Sequence, residues 1–185
     1  MTEPNLADAV SAAKSLLGWL LVHDSPEGRT AGYIVEAEAY TSDDPASHTY
    51  TGLTPRNKAM FELSGTIYIY FTYGMHFCVN IVTGEKGSGQ AVLIRALQPV
   101  EGIELMQKRR AVTDVRNLAN GPAKLVKAMG ISKEHYGNHI SSGSLFLEPG
   151  IIPAKIVQTT RVGIKKAITQ PWRFYVGGSP WISKK

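Results

Sequence analysis

Polar and apolar residues follow a helical period at the start of the chain and an alternating period through much of the remainder. An apolar stripe from Leu6 to Leu20 recurs every three or four residues and predicts a helix, which Gly18 either ends or enters late. Residues 32–40 alternate strictly and predict a strand with one apolar and one polar face. The apolar face carries Val35, Ala37 and Ala39, and the polar face carries Glu36, Glu38 and Tyr40.

Two further alternating runs, joined by a tight turn, predict a β-hairpin over residues 65–81. Tyr73 stands beside Gly74 at the bend, where packing between strands does not account for an aromatic ring. A flat ring at the tip of a stiff projection has the shape of a wedge that enters between stacked bases. The hairpin is therefore a candidate for contact with a nucleic-acid duplex.

The rest of the pattern mixes strands and helices without the regular rhythm of a parallel sheet. Residues 91–97 predict a mostly buried strand, and the polar stretch 41–58 predicts a loop with one helical turn. Two helices are expected at residues 100–110, ending in a basic run at 108–110, and at 118–129, where residues 120–124 offer an alternative start with Pro122 in the first turn. Three shorter strands are expected at residues 144–148, 155–162 and 173–176. This order indicates an α+β fold with a largely antiparallel sheet, in a single domain over residues 1–185.

Charge and composition narrow the partners and the cofactors. The chain has 185 residues and a formal charge of +5, which favours a polyanionic partner. Cys78 is the only cysteine, so we expect neither a disulfide nor a cysteine-based zinc site, and its place in a strand favours a small buried side chain over a reactive thiol. The five histidines show no metal-ligand spacing, so no metal is expected. We expect a cytoplasmic protein of bacterial type, because the sequence shows neither a membrane-spanning apolar run nor a signal-peptide layout.

Two glutamates on the polar face of the 32–40 strand are the first candidates for chemistry. Glu36 and Glu38 lie beside Tyr40, an arrangement typical of a cleft and equally of a solvated sheet face. A carboxylate walled by aromatic rings can act as a general base, but the period does not say which glutamate would do so. Arg95 interrupts an apolar strand, so its charge must be paired or must face a polar cavity.

Aromatic and amide side chains in the same motifs suit the recognition of an unstacked base. The tyrosines are Tyr40, Tyr68, Tyr70 and Tyr73. Their rings either pack across strands or hold a base between them. Asn80 and His48 can each pair with a base edge, although a structural amide and a lone histidine explain them equally well. Arg56 and Arg161 lie in turns that are suited to phosphate contacts.

Taken together, these segments resemble the alkyladenine (3-methyladenine) DNA glycosylase family, in the family's order and across nearly the whole chain. The matching pieces are IVEAEAY at 34–40, ASH at 46–48, TPRN at 54–57, the hairpin at 68–80, LIRAL at 93–97, GPAKL at 121–125, RVG at 161–163, RFYV at 173–176 and SPW at 179–181. One piece alone is weak, whereas the ordered set is highly specific.

The resemblance implies a curved, largely antiparallel sheet with several helices and a protruding hairpin that enters DNA. It also implies a monofunctional DNA-3-methyladenine glycosylase of base-excision repair that uses no metal and no cofactor. Such an enzyme flips a damaged purine out of duplex DNA and hydrolyses its N-glycosidic bond without a lyase step. The purines expected are 3-methyladenine, 7-methylguanine, hypoxanthine and ethenoadenine.

By motif match, Glu38 would be the general base that activates water, and Glu36 would be its structural neighbour. Arg95 and the backbone of Val162 would help to hold that water. The remaining roles concern the base and the duplex. Tyr40 and Tyr70 would sandwich the flipped base, His48 would lie on its edge, and Asn80 would exclude guanine by clashing with its 2-amino group. Tyr73, helped by Met75, would fill the gap in the duplex, and Arg56 and Arg161 would contact DNA.

The partner implied is double-stranded DNA with damaged purines, bound by a monomer. The alternative is a non-catalytic damaged-DNA or RNA binding module, which needs the stacking tyrosines and the basic surface but not the carboxylate of Glu38.

Overall fold

A computed structural model of the chain describes residues 3–72 and 76–184, with Thr72 described by its backbone alone. Its strands are β1 (Leu20–Ser25), β2 (Gly28–Tyr40), β3 (Ile67–Thr72), β4 (His76–Thr83), β5 (Gln90–Glu101), β6 (Leu145–Glu148), β7 (Ile156–Thr159) and β8 (Arg173–Val176). Its α-helices are α1 (Ala9–Ser15), α2 (Ile103–Arg110) and α3 (Pro122–Met129). Short 3-10 turns lie at Lys58–Phe61, Val115–Asn117 and Lys133–His135.

All the strand pairs of the sheet are antiparallel, and the sheet curls into a half-barrel. The main path runs β3-β4-β5-β2-β1-β6, while β8 pairs with both β2 and β7. The 13-residue strand β2 is central because it pairs with β1, β5 and β8 along its length. The predicted α+β class with an antiparallel sheet is confirmed.

Irregular pairing between β2 and β5 changes which side chains of β2 share a face. The register shifts between Ile34 and Glu36 and again between Glu36 and Ala37, as a β-bulge does. The main core therefore contains Ile34, Ala37 and Ala39, whereas Val35 is buried outside that cluster, contrary to strict alternation. The glutamates of the other face have no exposed surface, so the interpretation as a solvated sheet face is wrong.

The first helix is shorter than the apolar stripe predicts. Asp8 caps α1 by accepting hydrogen bonds from the backbone N–H groups of Val10 and Ser11, and the helix ends at Ser15. Gly18 follows with φ of +84°, and a Cβ at this position would clash with the carbonyl oxygen of Ile151. The later apolar residues of the stripe therefore belong to the turn after α1 and to the start of β1, and most of them are buried there.

The second helix starts later than predicted, because β5 continues to Glu101 before Gly102 turns the chain with φ of +69°. The third helix begins with Pro122 in its first turn, as the proline indicates. The predicted strand at 155–162 is reduced to β7, so residues 160–162 are free to approach the open end of β2. No helix among the described residues is long and apolar enough to cross a membrane.

Candidate active site

A cavity of about 320 Å³ is lined by the hairpin strands β3 and β4, the end of β2, the inner part of β5, and loop residues. Its lining includes residues of the loop after β2 and residues 162–164. The lining residues are Tyr40, Ala46, Ser47, His48, Met60, Tyr68, Tyr70, Cys78, Asn80, Leu93, Arg95, Pro122, Val162, Gly163 and Ile164. Six of the predicted site residues therefore meet here: Tyr40, His48, Tyr70, Asn80, Arg95 and Val162.

The aromatic lining is fixed by the alternation of β3 and by one histidine. Tyr68 and Tyr70 lie two residues apart on β3 with ring centroids 5.7 Å apart. His48 stands edge-on to Tyr70 at 4.5 Å, and its Nδ1 lies 2.9 Å from the Tyr68 hydroxyl. Burial, followed by the charge of Arg56, lowers the pKa of His48, so its imidazole is neutral at pH 7.

The strand β4 supplies two lining residues beside the tyrosines of β3, Cys78 and Asn80. Asn80 pairs in register with Tyr68, and its side-chain Nδ2 donates to the Tyr68 carbonyl oxygen at 3.1 Å. This hydrogen bond holds the buried amide in one orientation at the cavity. Cys78, two residues earlier on the same face, is buried, and burial raises the pKa of its thiol, as expected of a small packing side chain.

Glu38 lies just behind the lining, held by three donors that all line the cavity. Its Oε1 accepts a hydrogen bond from the backbone N–H of Val162 at 2.8 Å. Its Oε2 accepts from the Tyr40 hydroxyl at 2.9 Å and from Arg95 Nη1 at 3.2 Å. The carboxylate has no exposed surface of its own, so a reactant reaches it only beside these three groups.

Glu36 accepts more hydrogen bonds than Glu38, and of its partners only Arg95 lines the cavity. It accepts hydrogen bonds from Arg95 Nε at 3.2 Å and from Arg173 Nε at 2.7 Å. The backbone N–H and the hydroxyl of Ser183 donate to it as well. All three donors to Glu38 therefore line the cavity, whereas Glu36 mainly anchors Arg173 and the C-terminal segment and shares Arg95 with Glu38.

The charges at this site balance, because Arg95 and Arg173 are paired with the two carboxylates of Glu36 and Glu38. Burial alone would lower the pKa of Arg95, but the carboxylates of Glu38 and Glu36 outweigh it, so the pKa is raised and the guanidinium stays charged. Burial, reinforced by Glu38, raises the pKa of Tyr40 far above its usual range. The Tyr40 phenol is thus a permanent hydrogen-bond donor to Glu38.

The two arginines predicted to contact DNA lie in different surroundings. Arg56 is exposed, its Nη2 donates to the Phe71 carbonyl oxygen at 3.0 Å, and its guanidinium lies 5.9 Å from the Tyr70 ring centroid. Arg161, in contrast, is fully buried against Asp44, so its guanidinium does not reach a surface where a phosphate could bind. This placement differs from the prediction because the turn that carries Arg161, which was predicted to be exposed, packs against the Tyr40 ring. The predictions for Tyr73 and Met75 fall outside the described residues.

Some residues of the site were not assigned a role from sequence. Tyr68, Cys78, Met60 and Leu93 line the cavity, and Ser183 and Arg173 brace Glu36. The same-face spacing of Tyr68 with Tyr70 and of Cys78 with Asn80 is a usable signal for two of them. No local pattern brings Ser183 to β2, because the two are 147 residues apart. No group of three or more histidine, cysteine, aspartate or glutamate side chains suited to a metal ion occurs within residues 3–72 and 76–184.

The family model and the relatives that match this chain are all described as DNA glycosylases. A family model described as methylpurine-DNA glycosylase (MPG) matches residues 4–180. A protein of Methanoculleus marisnigri is 51% identical over 183 residues, covering 96% of this chain and 95% of the relative. A protein of Chlorobaculum tepidum is 47% identical over 176 residues, with 93% and 84% covered. One from Francisella tularensis subsp. tularensis is 45% identical over 181 residues, with 95% and 94% covered. Each is named "Putative 3-methyladenine DNA glycosylase".

Proposed function

The chain belongs to the methylpurine-DNA glycosylase family of DNA repair enzymes, and we propose that it hydrolyses the N-glycosidic bond of alkylated and deaminated purines in duplex DNA. The proposed substrates are 3-methyladenine, 7-methylguanine, hypoxanthine and ethenoadenine. We further propose that the enzyme acts as a monomer in the cytoplasm, without a metal, a cofactor or a lyase step. The observation that carries the proposal is a buried carboxylate, Glu38, held by three groups that line a base-sized cavity.

The proposed chemistry is a displacement at C1′ of the flipped nucleotide. Glu38 accepts a proton from water while the water oxygen bonds to C1′, and the C1′–N bond breaks with its electron pair passing to the base. Arg95 and the Val162 N–H orient the carboxylate, and Oε1 of Glu38, which accepts only the Val162 N–H, retains a lone pair for the water. The products are a free purine and an abasic site, and no covalent bond to the protein forms.

Recognition of the base is proposed to rest on the two tyrosines that line the cavity beside His48. The Tyr40 and Tyr70 rings would hold the flipped purine between them, with a cation–π preference for a base that carries positive charge, worth about 0.5–2 kcal/mol. The neutral His48 imidazole would bond the base edge, and the fixed Asn80 amide would clash with a 2-amino group. A cationic base is also the better leaving group, whereas hypoxanthine requires protonation.

A non-catalytic binding module accounts less well for Glu38. A negative charge beside a DNA-binding cavity opposes a polyanion, and burying a carboxylate costs free energy unless it is paired. Glu38 is buried and is paired with Arg95 and two neutral donors, which is an arrangement suited to reaction rather than to binding alone.

The test is excision from matched oligonucleotide duplexes that carry 7-methylguanine, hypoxanthine or ethenoadenine at one position, with the abasic product cleaved by alkali. We expect base release from duplex DNA in the presence of EDTA, and no strand cleavage before alkali. The same lesions in RNA duplexes serve as the control for an RNA-directed activity. Tight binding without base release from any lesion would favour the binding module instead.

A further inference from the structure

Arg161 is a buried cation that the proposed mechanism does not use, and it lies against the Tyr40 ring. Its guanidinium carbon is 4.6 Å from the centroid of Tyr40 and 5.2 Å from that of Trp172. Arg161 has no exposed side-chain surface and does not line the cavity, whereas Tyr40 does. The Tyr40 ring therefore separates a fixed guanidinium from the space proposed for the flipped base.

The guanidinium is held in place from several directions. Its Nη1 and Nη2 both donate to the carboxylate of Asp44, the second at 3.0 Å, and Asp44 has no exposed side-chain surface. Nη1 also donates to the carbonyl oxygen of Ala39, the residue before Tyr40, at 2.9 Å. Such a bidentate pair fixes both the plane and the position of an arginine. Because Ala39 lies on the strand that carries Tyr40, the distance between the Tyr40 ring and the guanidinium is fixed.

A cation on one face of an aromatic ring affects what the opposite face attracts. The ring offers negative potential on both faces, so a guanidinium behind Tyr40 would weaken the attraction for a cationic purine in front of it. The carboxylate of Asp44 cancels this repulsion, since it lies closer to the guanidinium than the base would. The pair thus supplies a rigid backing for Tyr40 at no net charge.

We propose that Arg161 is a positioning residue for Tyr40 and that Asp44, by neutralising it, allows the cavity to prefer purines that carry a positive charge. The inference rests on the proposed glycosylase function and adds a determinant of its substrate preference. It also explains why the RVG segment leaves the surface: Arg161 supports Tyr40 while the next residue, Val162, donates to Glu38.

The test compares excision of 7-methylguanine, which is cationic, with excision of hypoxanthine, which is neutral, under single-turnover conditions. In Asp44→Asn the cation behind Tyr40 loses its counter-charge, and we expect the ratio of the two rates to fall about tenfold. In the double variant Asp44→Asn with Arg161→Gln, charge is absent from both positions, and the ratio should return to within about threefold of wild type. A fall in both rates with an unchanged ratio in Asp44→Asn would overturn the proposal and leave the pair a structural one.

Two controls keep the experiment decisive. Glu27→Gln removes the partner of Arg109, an ion pair away from the cavity, and should leave the ratio unchanged. If Asp44→Asn does not fold, Arg161→Gln alone decides the question. Loss of the cation should leave the ratio of 7-methylguanine to hypoxanthine excision unchanged or raise it. A fall in that ratio would contradict the proposal. Inactivity of the wild-type protein on both lesions would count against the glycosylase function rather than against the pair.

Discussion

At the scale of single residues, Glu36 and Glu38 are the same side chain two positions apart, and their partners give them different tasks. Glu36 receives four hydrogen bonds from groups of β5, β8 and the C-terminal segment, which leaves little room for a reactant. Glu38 receives three, each from a residue that faces the cavity. The arrangement assigns the proposed general base to Glu38 and an anchoring role to Glu36.

The Glu38→Gln variant tests that assignment. Gln keeps the shape and can still accept a hydrogen bond from the Val162 N–H, but it cannot take a proton from water. We expect the single-turnover excision rate to fall by at least about 10²-fold, the range of general-base catalysis, while DNA affinity changes by less than about threefold. Fluorescence anisotropy on the same duplex measures the affinity. Near-normal excision would reject Glu38 as the base.

The matched control is Glu36→Gln. An amide cannot serve two guanidinium groups and Ser183 as a carboxylate does, so this variant leaves buried charges without compensation. We expect the free energy of unfolding to fall by about 3–5 kcal/mol, as happens when one partner of a buried ion pair is removed. Thermal melting of both variants separates the loss of chemistry in one from the loss of stability in the other.

Asn80 permits a second residue-scale prediction, because guanine and hypoxanthine differ only in the 2-amino group. Asn80→Ser opens space at the cavity wall and should raise excision of guanine relative to hypoxanthine by about tenfold or more, because the clash with the 2-amino group is relieved. Parallel time courses on two duplexes that differ in that one base give the ratio. An unchanged ratio would show that Asn80 does not act as a steric gate.

The sequence predicted most of the residues that line the cavity but not the hydrogen bonds and ion pairs between side chains. Tyr40, Tyr70 and Asn80 stand out because alternation places aromatic and amide side chains on one face. Arg161 also looked like a surface cation, and only the tertiary fold brings Asp44 to it across 117 positions. A pairing over such a distance leaves no local trace, because each residue alone is compatible with an exposed turn.

At the scale of elements, β2 organises the molecule. It carries Glu36, Glu38 and Tyr40 in one run, and its pairing with β5 places Arg95 beside both carboxylates. The bulges at Ile34–Ala37 divide the strand into a first part that pairs with β1 and a second part that pairs with β8. The period of the sequence identified this strand but not its bulge, since a bulge depends on the partner strand as much as on β2 itself.

Element boundaries were predictable where one residue type sets them. Pro122 marks the start of α3, and the basic run at residues 108–110 forms the last turn of α2. The end of α1 was not predictable from the apolar stripe, because the same apolar residues serve a helix, a turn and a strand in succession. A hydrophobic residue indicates burial rather than a backbone conformation, and here the residues stay buried while the backbone passes from helix to turn to strand.

The hairpin of β3 and β4 carries the third prediction, which concerns Tyr73. If the ring fills the gap left by the flipped base, Tyr73→Ala should weaken binding to a lesion duplex by about tenfold or more and leave salt-sensitive binding to undamaged DNA within about twofold. Anisotropy titrations at two salt concentrations on damaged and undamaged duplexes measure both. Tyr50→Ala, which removes an exposed tyrosine of the loop after β2, is the matched control and should change neither. Equal loss on both duplexes would indicate a packing role for Tyr73.

At the scale of the whole molecule, a buried histidine pair links the sheet to the segment after α3. His23 of β1 places Nδ1 2.7 Å from the Met129 carbonyl oxygen and Nε2 3.1 Å from Nε2 of His135. The carbonyl only accepts, so Nδ1 of His23 donates and its Nε2 is the acceptor. His135 in turn receives the backbone N–H of Ser132 at Nδ1, which leaves its Nε2–H to donate to His23. In this arrangement each ring nitrogen of the pair has a hydrogen-bond partner while His23 is neutral.

This pair makes folding stability depend on pH. Burial, joined by the charges of His135 and Arg109, lowers the pKa of His23 in the folded protein, although Met129 and Asp24 oppose the shift. The unfolded chain binds a proton near pH 6.5, before the folded protein does. The free energy of unfolding is thus fully retained above about pH 6.5 and falls as the pH decreases toward the lowered value. His48 acts in the same direction, because burial lowers its pKa also.

The His23→Asn variant isolates this contribution, because Asn can donate to the Met129 carbonyl oxygen in place of Nδ1–H and does not titrate. Wild-type protein should lose more of its Tm between pH 7.5 and pH 5.5 than His23→Asn does, since the variant has no proton to gain at that position. The exposed His76, changed to Asn in the same way, should leave the wild-type pH dependence unchanged. Differential scanning calorimetry across this pH range gives the comparison. An equally steep fall of Tm in His23→Asn would mean that the pair is a packing contact whose protonation does not control stability.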